Sequence, residues 1–180
     1  SQKKELGTIF FDEIGDSSFP TQNIILEFLK ERELGENSSY GSKFKNLRIL
    51  SSSKCNLQES VEDGSFREDL YFRLNEFSLT LPLLEERTED IPELCKHFLK
   101  TFAKEGLKER SLSQSALDLI KKRRWLGNVR ELKNFIGRLV AVSSDDVIDY
   151  KFTKNELLEI QKKDVEESFN EGSEISKSLE

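Results

Sequence analysis

The 180-residue chain carries 28 basic and 34 acidic residues, a net charge of −6, and is 36% hydrophobic and 34% charged. That balance allows one domain, or a domain and a half, with a buried core, and it argues against broad electrostatic binding to nucleic acid while leaving room for a local basic patch. No apolar run approaches the ~18 residues of a membrane helix, the N-terminus lacks a signal-peptide shape, and Cys55 and Cys95 form neither a disulfide framework nor a metal pattern; together these predict a soluble, cytoplasmic protein with no membrane partner.

Ser1 to Leu6 carry no signal. Ile9, Phe10 and Phe11 then form a short continuous apolar run, the pattern of a strand buried on both faces of a parallel sheet. The run ends in two carboxylates, Asp12 and Glu13. Ligands bind at the carboxyl ends of strands in open α/β sheets. A paired acid there suits a magnesium-bound phosphate site, with one carboxylate on the metal through water and its neighbour handling a nucleophilic water. Two solvated acids at a turn fit the same residues.

Ser17 to Pro20 mark a turn and Thr21 is placed to cap a helix. Ile24, Ile25, Phe28 and Leu29 recur at helical spacing. Gly35 to Gly41 reads as a loop, and Leu47 to Leu50 as a second strand running into the polar cluster Ser51 to Asn56. Residues 57–63 read as a short helix that Gly64 breaks. Phe66, Leu70 and Leu74 fall four apart and predict another helix, on which Arg67 and Arg73 lie about 120° from each other. Phe77 to Leu81 alternates with period two and reads as a strand stopped by Pro82.

Leu83 to Asp90 is a charged connector to an all-helical part. Ile91, Leu94, Cys95, Phe98, Leu99 and Phe102 repeat at the helical period, with Pro92 in the first turn and Gly106 at the end. The single histidine, His97, reads as a surface residue of that helix. Ser113 caps a second helix carrying Ala116, Leu117, Leu119 and Ile120, closed by Trp125-Leu126-Gly127. Asn128 with Glu131 resembles a capping box, opening a third helix that buries Leu132, Phe135, Ile136 and Leu139. The basic run Lys121 to Arg124 sits at a helix C-terminus, where the dipole favours cations. Phe152 to Ile160 has the pattern of one more short helix. Residues 163–180 are too polar to bury a core and read as a disordered tail.

These segments, in this order, resemble the AAA+ ATPase domain of bacterial sigma-54-dependent transcription activators, the NtrC-like enhancer-binding proteins. GTIFFDEIGD resembles the Walker B segment, GSFREDLYFRLN the arginine-finger segment, LPLLEERTEDIP the connector to the lid and WLGNVRELKN the sensor II helix. The resemblance covers roughly residues 7–143. It implies an α/β fold, a partial AAA+ parallel-sheet core over 1–83, a small helical lid with sensor II over 84–150, and a polar tail over 151–180. It also implies binding and hydrolysis of ATP with Mg2+, a homo-oligomeric ring, and remodelling of the sigma-54 RNA polymerase holoenzyme, with DNA contacted only through a domain outside these residues. Asp12 would coordinate magnesium through water and Glu13 would polarise the attacking water. Arg67 and Arg73 would be fingers reaching the neighbouring subunit's γ-phosphate, for which a planar, permanently charged group is suited. Arg130 would be sensor II, and Trp125 would pack the lid. Without that pattern Arg67 and Arg73 are ordinary helix-surface arginines near Glu68 and Asp69, and Arg130 an arginine free to pair with any acid.

The sequence also departs from the family. It contains no G-x-x-x-x-G-K-[ST] phosphate loop and no sigma-54 contact loop before the Walker B strand, which leads us to expect a chain that begins partway into the domain. The sensor I asparagine position falls on Lys54, which would contact the nucleotide's phosphate as a charge but cannot accept a hydrogen bond as an asparagine does; Asn56 is two residues out of register. Leu126 and Glu85 stand where the family favours proline and arginine. Two readings follow: part of a working ATPase domain, or a degenerate, non-hydrolysing assembly or regulatory module. A stand-alone DNA-binding protein is disfavoured because no second amphipathic helix pair follows Val147.

Overall fold

Strand β1, Thr8–Phe11, pairs in parallel with β2, Arg48–Ser51, setting Ile9 opposite Ile49 and Phe10 opposite Leu50. The structure, a computed structural model, describes residues 7–34, 44, 47–160 and 162. The first six residues, the loop expected at Gly35 to Gly41 and the polar stretch 163–180 lie outside them. Chain contacts divide the protein into two units, residues 1–80 and 81–180.

In the first unit, alternation along the strands turns Phe11 and Ile49 toward a core of Ile14, Leu26, Leu29, Phe66 and Leu70. Phe10 and Leu50, on the opposite face, remain 56% and 42% exposed. A strand buried on both faces was expected; among the described residues one face is covered. Helix α1, Phe19–Leu34, begins two residues before Thr21, with Pro20 in its first turn, so Thr21 sits inside the helix rather than capping it. Its inward stripe is Gln22, Leu26 and Leu29, flanked by Ile25 and Phe28, while Ile24 points to solvent. Asn56 caps α2, Leu57–Glu62, by accepting from the Gln58 N–H at 3.1 Å. Helix α3, Glu68–Leu74, buries Leu70 completely.

The strand expected at Phe77 to Leu81 is absent: these residues have no regular structure. Phe77, Leu79 and Leu81 are 99%, 84% and 74% exposed. Period-two alternation defines a face, but a strand also needs a partner for its N–H and C=O groups, and the described sheet of this unit has two strands, β1 and β2.

The second unit opens with 3₁₀ turns at Leu84–Glu86 and Thr88–Asp90 and continues as α4, Ile91–Lys104, with Pro92 in the first turn. Next come β3, Ser111–Leu112, and α5, Gln114–Lys122, whose Ala116 N–H is accepted by Ser113 Oγ at 3.2 Å. Helix α6, Asn128–Val142, packs on α4, and Gly137 makes the close approach possible: a Cβ there would sit 2.9 Å from Phe102 Cζ. The parallel β3–β4 pair, with β4 at Val147–Ile148, is two residues long, too short for a periodic signal. Residues 150–160 form α7, with Leu157 in the core and Thr153 fully buried. The short helix expected over Phe152 to Ile160 is present, which corrects the reading of 151–180 as a tail for its first ten residues; Thr153 and Leu157, one turn apart, form its buried face. His97 is exposed on α4 as expected.

Leu132 is fully buried in the second core. Leu132→Ala is expected to cost ~2–5 kcal/mol and Phe77→Ser to stay within ~0.5 kcal/mol; urea unfolding followed by Trp125 fluorescence for the first and by circular dichroism for the second checks both. Burial pushes the Cys95 thiol up to about 12, while Cys55 is exposed. Native protein treated with iodoacetamide at mildly alkaline pH should label at Cys55, with Cys95 reacting only on unfolding. An unfolded thiol ionises near ~8.5, so the Cys95 contribution is complete below that pH. It fades as pH rises toward about 12, because the unfolded chain loses its proton first.

Candidate functional site

Asp12 and Glu13 follow β1 directly. Glu13 adopts φ 52°, ψ 50°, the left-handed region that costs a non-glycine residue ~1–3 kcal/mol. Ser52, the residue after β2, holds it there. The Glu13 N–H donates to Ser52 Oγ at 3.0 Å, and the Ile14 N–H donates to the Ser52 carbonyl at 2.9 Å. The Ser52 N–H donates back to the Phe11 carbonyl at 2.9 Å, and its hydroxyl donates to Asp12 Oδ1 at 2.6 Å. Lys54 reaches Glu13 twice: its N–H donates to Oε2 at 3.0 Å and its ammonium lies 3.4 Å from Oε1. Gly15 lets the two loops meet, since a Cβ there would fall 2.4 Å from Cys55 Sγ and 2.6 Å from Ser53 Oγ. The structure thus brings Asp12, Glu13 and Lys54 together around Ser52.

No group of three or more His, Cys, Asp or Glu side chains among the described residues forms a protein metal cage. Magnesium does not need one: it keeps several waters and takes one or two carboxylates plus phosphate oxygens. Asp12, exposed and with one oxygen accepting from Ser52, retains lone pairs for that role. Asn56 is committed elsewhere, as the cap of α2 and as a donor to Glu59 Oε1 at 2.8 Å.

Arg67 precedes α3. Its Nε and Nη2 donate to the two oxygens of Asp69 at 2.9 and 2.8 Å, and its Nη1 to Asn23 Oδ1 at 2.7 Å. The Asp69 hydrogen bond raises the arginine above its usual value, and the same bond lowers the Asp69 carboxyl. Three of the guanidinium's five N–H groups are engaged. Arg73, one turn and a half further on, is paired with Glu33 of α1, chiefly through a hydrogen bond that raises its pKa. Both candidate fingers are therefore held within their own chain, Arg67 just before α3 and Arg73 within it, each bonded to a residue of α1.

Arg130 belongs to the second unit, exposed in the first turn of α6 and without an ion pair among the described residues. The capping box expected here takes another form. Asn128 is left-handed, φ 53°, and its Oδ1 accepts from the Leu84 N–H at 2.7 Å instead of capping the helix. Glu131 still reaches back, accepting from the Gly127 N–H at 2.9 Å. The two arginines of the basic run are taken up within the lid: Arg123 stacks 5.1 Å from the Trp125 ring and bonds Glu131 at 3.0 Å, and Arg124 bonds Glu85 at 2.7 Å. Trp125 is buried, donating to the Ile120 carbonyl at 3.0 Å.

Ser52 and Gln22 escaped the sequence reading. A signal for Gln22 was available, because an amide occupied the helical stripe otherwise filled by Leu26 and Leu29. Ser52 was one serine among three, and nothing in Ser51-Ser52-Ser53 distinguishes which faces Asp12.

Residues 2–80 match the sigma-54 interaction domain and residues 85–169 the AAA+ ATPase lid domain. The DNA-binding transcriptional regulator NtrC of Rhizobium meliloti (strain 1021) is 42% identical over 159 residues, 87% of this chain and 32% of its own length. The nitrogen fixation protein VnfA of Azotobacter vinelandii is 42% identical over 143 residues, 79% of this chain and 27% of its own. Crystal structures of NtrX from Brucella abortus with ADP and with ATP superpose with TM-scores of 0.68 and 0.67 at 32% identity, covering 81% of this chain and 35% of theirs. The chain spans about a third of the length of the relatives it matches. With both domain matches in tandem, and relatives similar across the two, the chain belongs to the AAA+ family of sigma-54-dependent, NtrC-like transcription activators.

Proposed function

We propose that these residues supply the metal-and-water side of an ATP hydrolysis site and the arginine fingers of a ring-forming activator that remodels the sigma-54 RNA polymerase holoenzyme. The observation that carries the reading is the strand-end network: a left-handed Glu13 and its neighbour Asp12, both tied to Ser52 at the carboxyl end of a parallel strand pair. Backbone strain of this kind concentrates at functional sites. The NtrX relatives were crystallised with ADP and ATP, which supports nucleotide as the ligand.

In this reading Asp12 would hold a water-shelled Mg2+, whose charge would offset that developing on the phosphate oxygens. Glu13 accepts a hydrogen bond from the attacking water, orienting a lone pair toward the γ-phosphorus. The new oxygen–phosphorus bond forms as the bond to the bridging oxygen breaks, giving ADP and dihydrogen phosphate, which carries both of the water's protons away and sheds the excess one to solvent. Arg67 and Arg73 serve the neighbouring subunit, each leaving its own acid to bind phosphate oxygens. Arg130 approaches nucleotide from the N-terminus of α6, where the helix dipole also favours anions. Lys54 occupies the sensor I position. Promoter DNA would be engaged by a domain outside these residues, and among the described residues no helix is long and apolar enough to cross a membrane.

A second reading, a non-hydrolysing assembly or regulatory module, is favoured by one observation: the Lys54 ammonium is spent on Glu13, the residue that must handle water.

The readings separate on the protein purified at its natural length. Glu13→Gln is expected to lower ATP turnover ~10²–10⁴-fold with nucleotide binding retained, and Arg67→Ala to lower it ~10³–10⁵-fold. No turnover in the parent protein would favour the module, and full turnover in Glu13→Gln would remove Glu13 from the hydrolytic step. The 180-residue chain itself, without a G-x-x-x-x-G-K-[ST] loop, is expected to bind ATP weakly by calorimetry; micromolar affinity would contradict that.

A further inference from the structure

Gln22 is 0% exposed, yet it lies in the apolar stripe of α1 with Leu26 and Leu29. A side-chain amide has two N–H donors and an acceptor oxygen, and burying it is costly unless they are bonded. All are engaged at this site. Nε2 donates to the Ser17 carbonyl at 2.8 Å and to the Ser65 carbonyl at 3.1 Å, and Oε1 accepts from the Arg67 N–H at 2.9 Å.

The partners are not scattered. Ser17 closes the 3₁₀ turn Ile14–Asp16, its N–H and hydroxyl both donating to the Ile14 carbonyl at 3.1 and 2.6 Å. Ile14 is in turn fixed to Ser52. One side of Gln22 therefore grips the turn that follows Asp12 and Glu13. The other side grips Ser65 and Arg67, the entry to α3. Arg67 sits at the N-cap position, before the first helical turn, so its N–H has no intrahelical acceptor and depends on Gln22. The next residue of α1, Asn23, holds the guanidinium of the same arginine. Consecutive positions of one helix thus fix both the backbone and the side chain of Arg67.

We infer that Gln22 is a positioning residue: its buried amide locks the finger-bearing segment to the turn behind the acid pair, so that Asp12–Glu13 and Arg67 form one rigid body. This rests on the reading of those residues as parts of an ATP site. An apolar side chain would fill the stripe equally well, but it would leave the Arg67 N–H and two carbonyls without partners and let the finger segment move against the acid pair.

The test has two arms. In the 180-residue chain, amide hydrogen exchange is followed in the parent, Gln22→Met and Gln22→Glu. Gln22→Met should raise the Arg67 exchange rate by about tenfold or more, with the Leu26 and Leu29 amides unchanged. Gln22→Glu keeps an acceptor but loses both donors and sets a carboxylate against the Ser17 and Ser65 carbonyls, so it too should raise Arg67 exchange, which covers the case in which the methionine variant fails to fold. Arg67 exchange equal to the parent's in either folded variant overturns the proposal. In the natural-length protein, Gln22→Met should lower kcat by roughly 10–100-fold with KM for ATP within about twofold; unchanged kcat, or a rise in KM alone, also overturns it. If the parent has no turnover, or Glu13→Gln retains it, the ATP-site reading fails, and the exchange arm still decides the role of Gln22.

Discussion

The hydroxyl and carbonyl of Ser52 are the constraint on which the strand-end arrangement depends. Two parallel strands bring their carboxyl ends side by side, but they do not by themselves decide how the chain leaves β1. Here the Glu13 and Ile14 N–H groups both turn toward Ser52, and that turn requires the left-handed backbone at Glu13. Two hydrogen bonds, each worth ~0.5–1.5 kcal/mol net, roughly offset the ~1–3 kcal/mol of strain. The same hydroxyl then uses its proton on Asp12. A single serine therefore sets the backbone of one acid and the side chain of the other, and Gly15 supplies the clearance that lets the two loops approach.

The two candidate fingers are ordered by a different kind of contact. The Arg67–Asp69 and Arg73–Glu33 pairs have side chains roughly one third to one half exposed. Ion pairs in such settings are screened by solvent and contribute little to stability. Contacts of that strength define a geometry without committing the arginine, so exchange of a carboxylate for a phosphate is energetically open. The backbone of Arg67 is held far more firmly than its guanidinium, because its N–H is bonded to a fully buried amide.

In the second unit the connection between α5 and α6 is fixed by side chains that resemble a nucleic-acid patch in the sequence. Arg123 covers the Trp125 ring while bonded to Glu131, and Glu131 also caps the start of α6. Arg124 takes Glu85, and Asn128 takes the Leu84 N–H. The start of α6 is thereby tied to the turn that precedes α4, and Arg130 emerges from a rigid base. Glu85, a departure from the family's arginine, has a local reason: its partner is Arg124.

The sequence by itself determined the segments and the chemistry at their ends. Apolar runs and helical stripes placed β1, β2 and the helices, because periodicity follows from burying one face of a regular backbone. Asp12 and Glu13 were visible as two acids at a strand terminus, but taken alone they fit solvated acids at a turn as well, and the motifs downstream singled them out. The strand at Phe77 to Leu81 was not determined, since alternation cannot supply the neighbour that a strand must pair with. Nor was the short β3–β4 pair, which is two residues long and non-local. Only the tertiary structure decided that Ser52, not Ser51 or Ser53, faces Asp12, that Lys54 rests on Glu13, and that Gln22 joins the acid-pair turn to Arg67. Those contacts span 39 to 45 residues of chain or depend on a local register. A hydrogen bond carries no periodic trace in sequence; its partners become visible only when folding brings the two segments together.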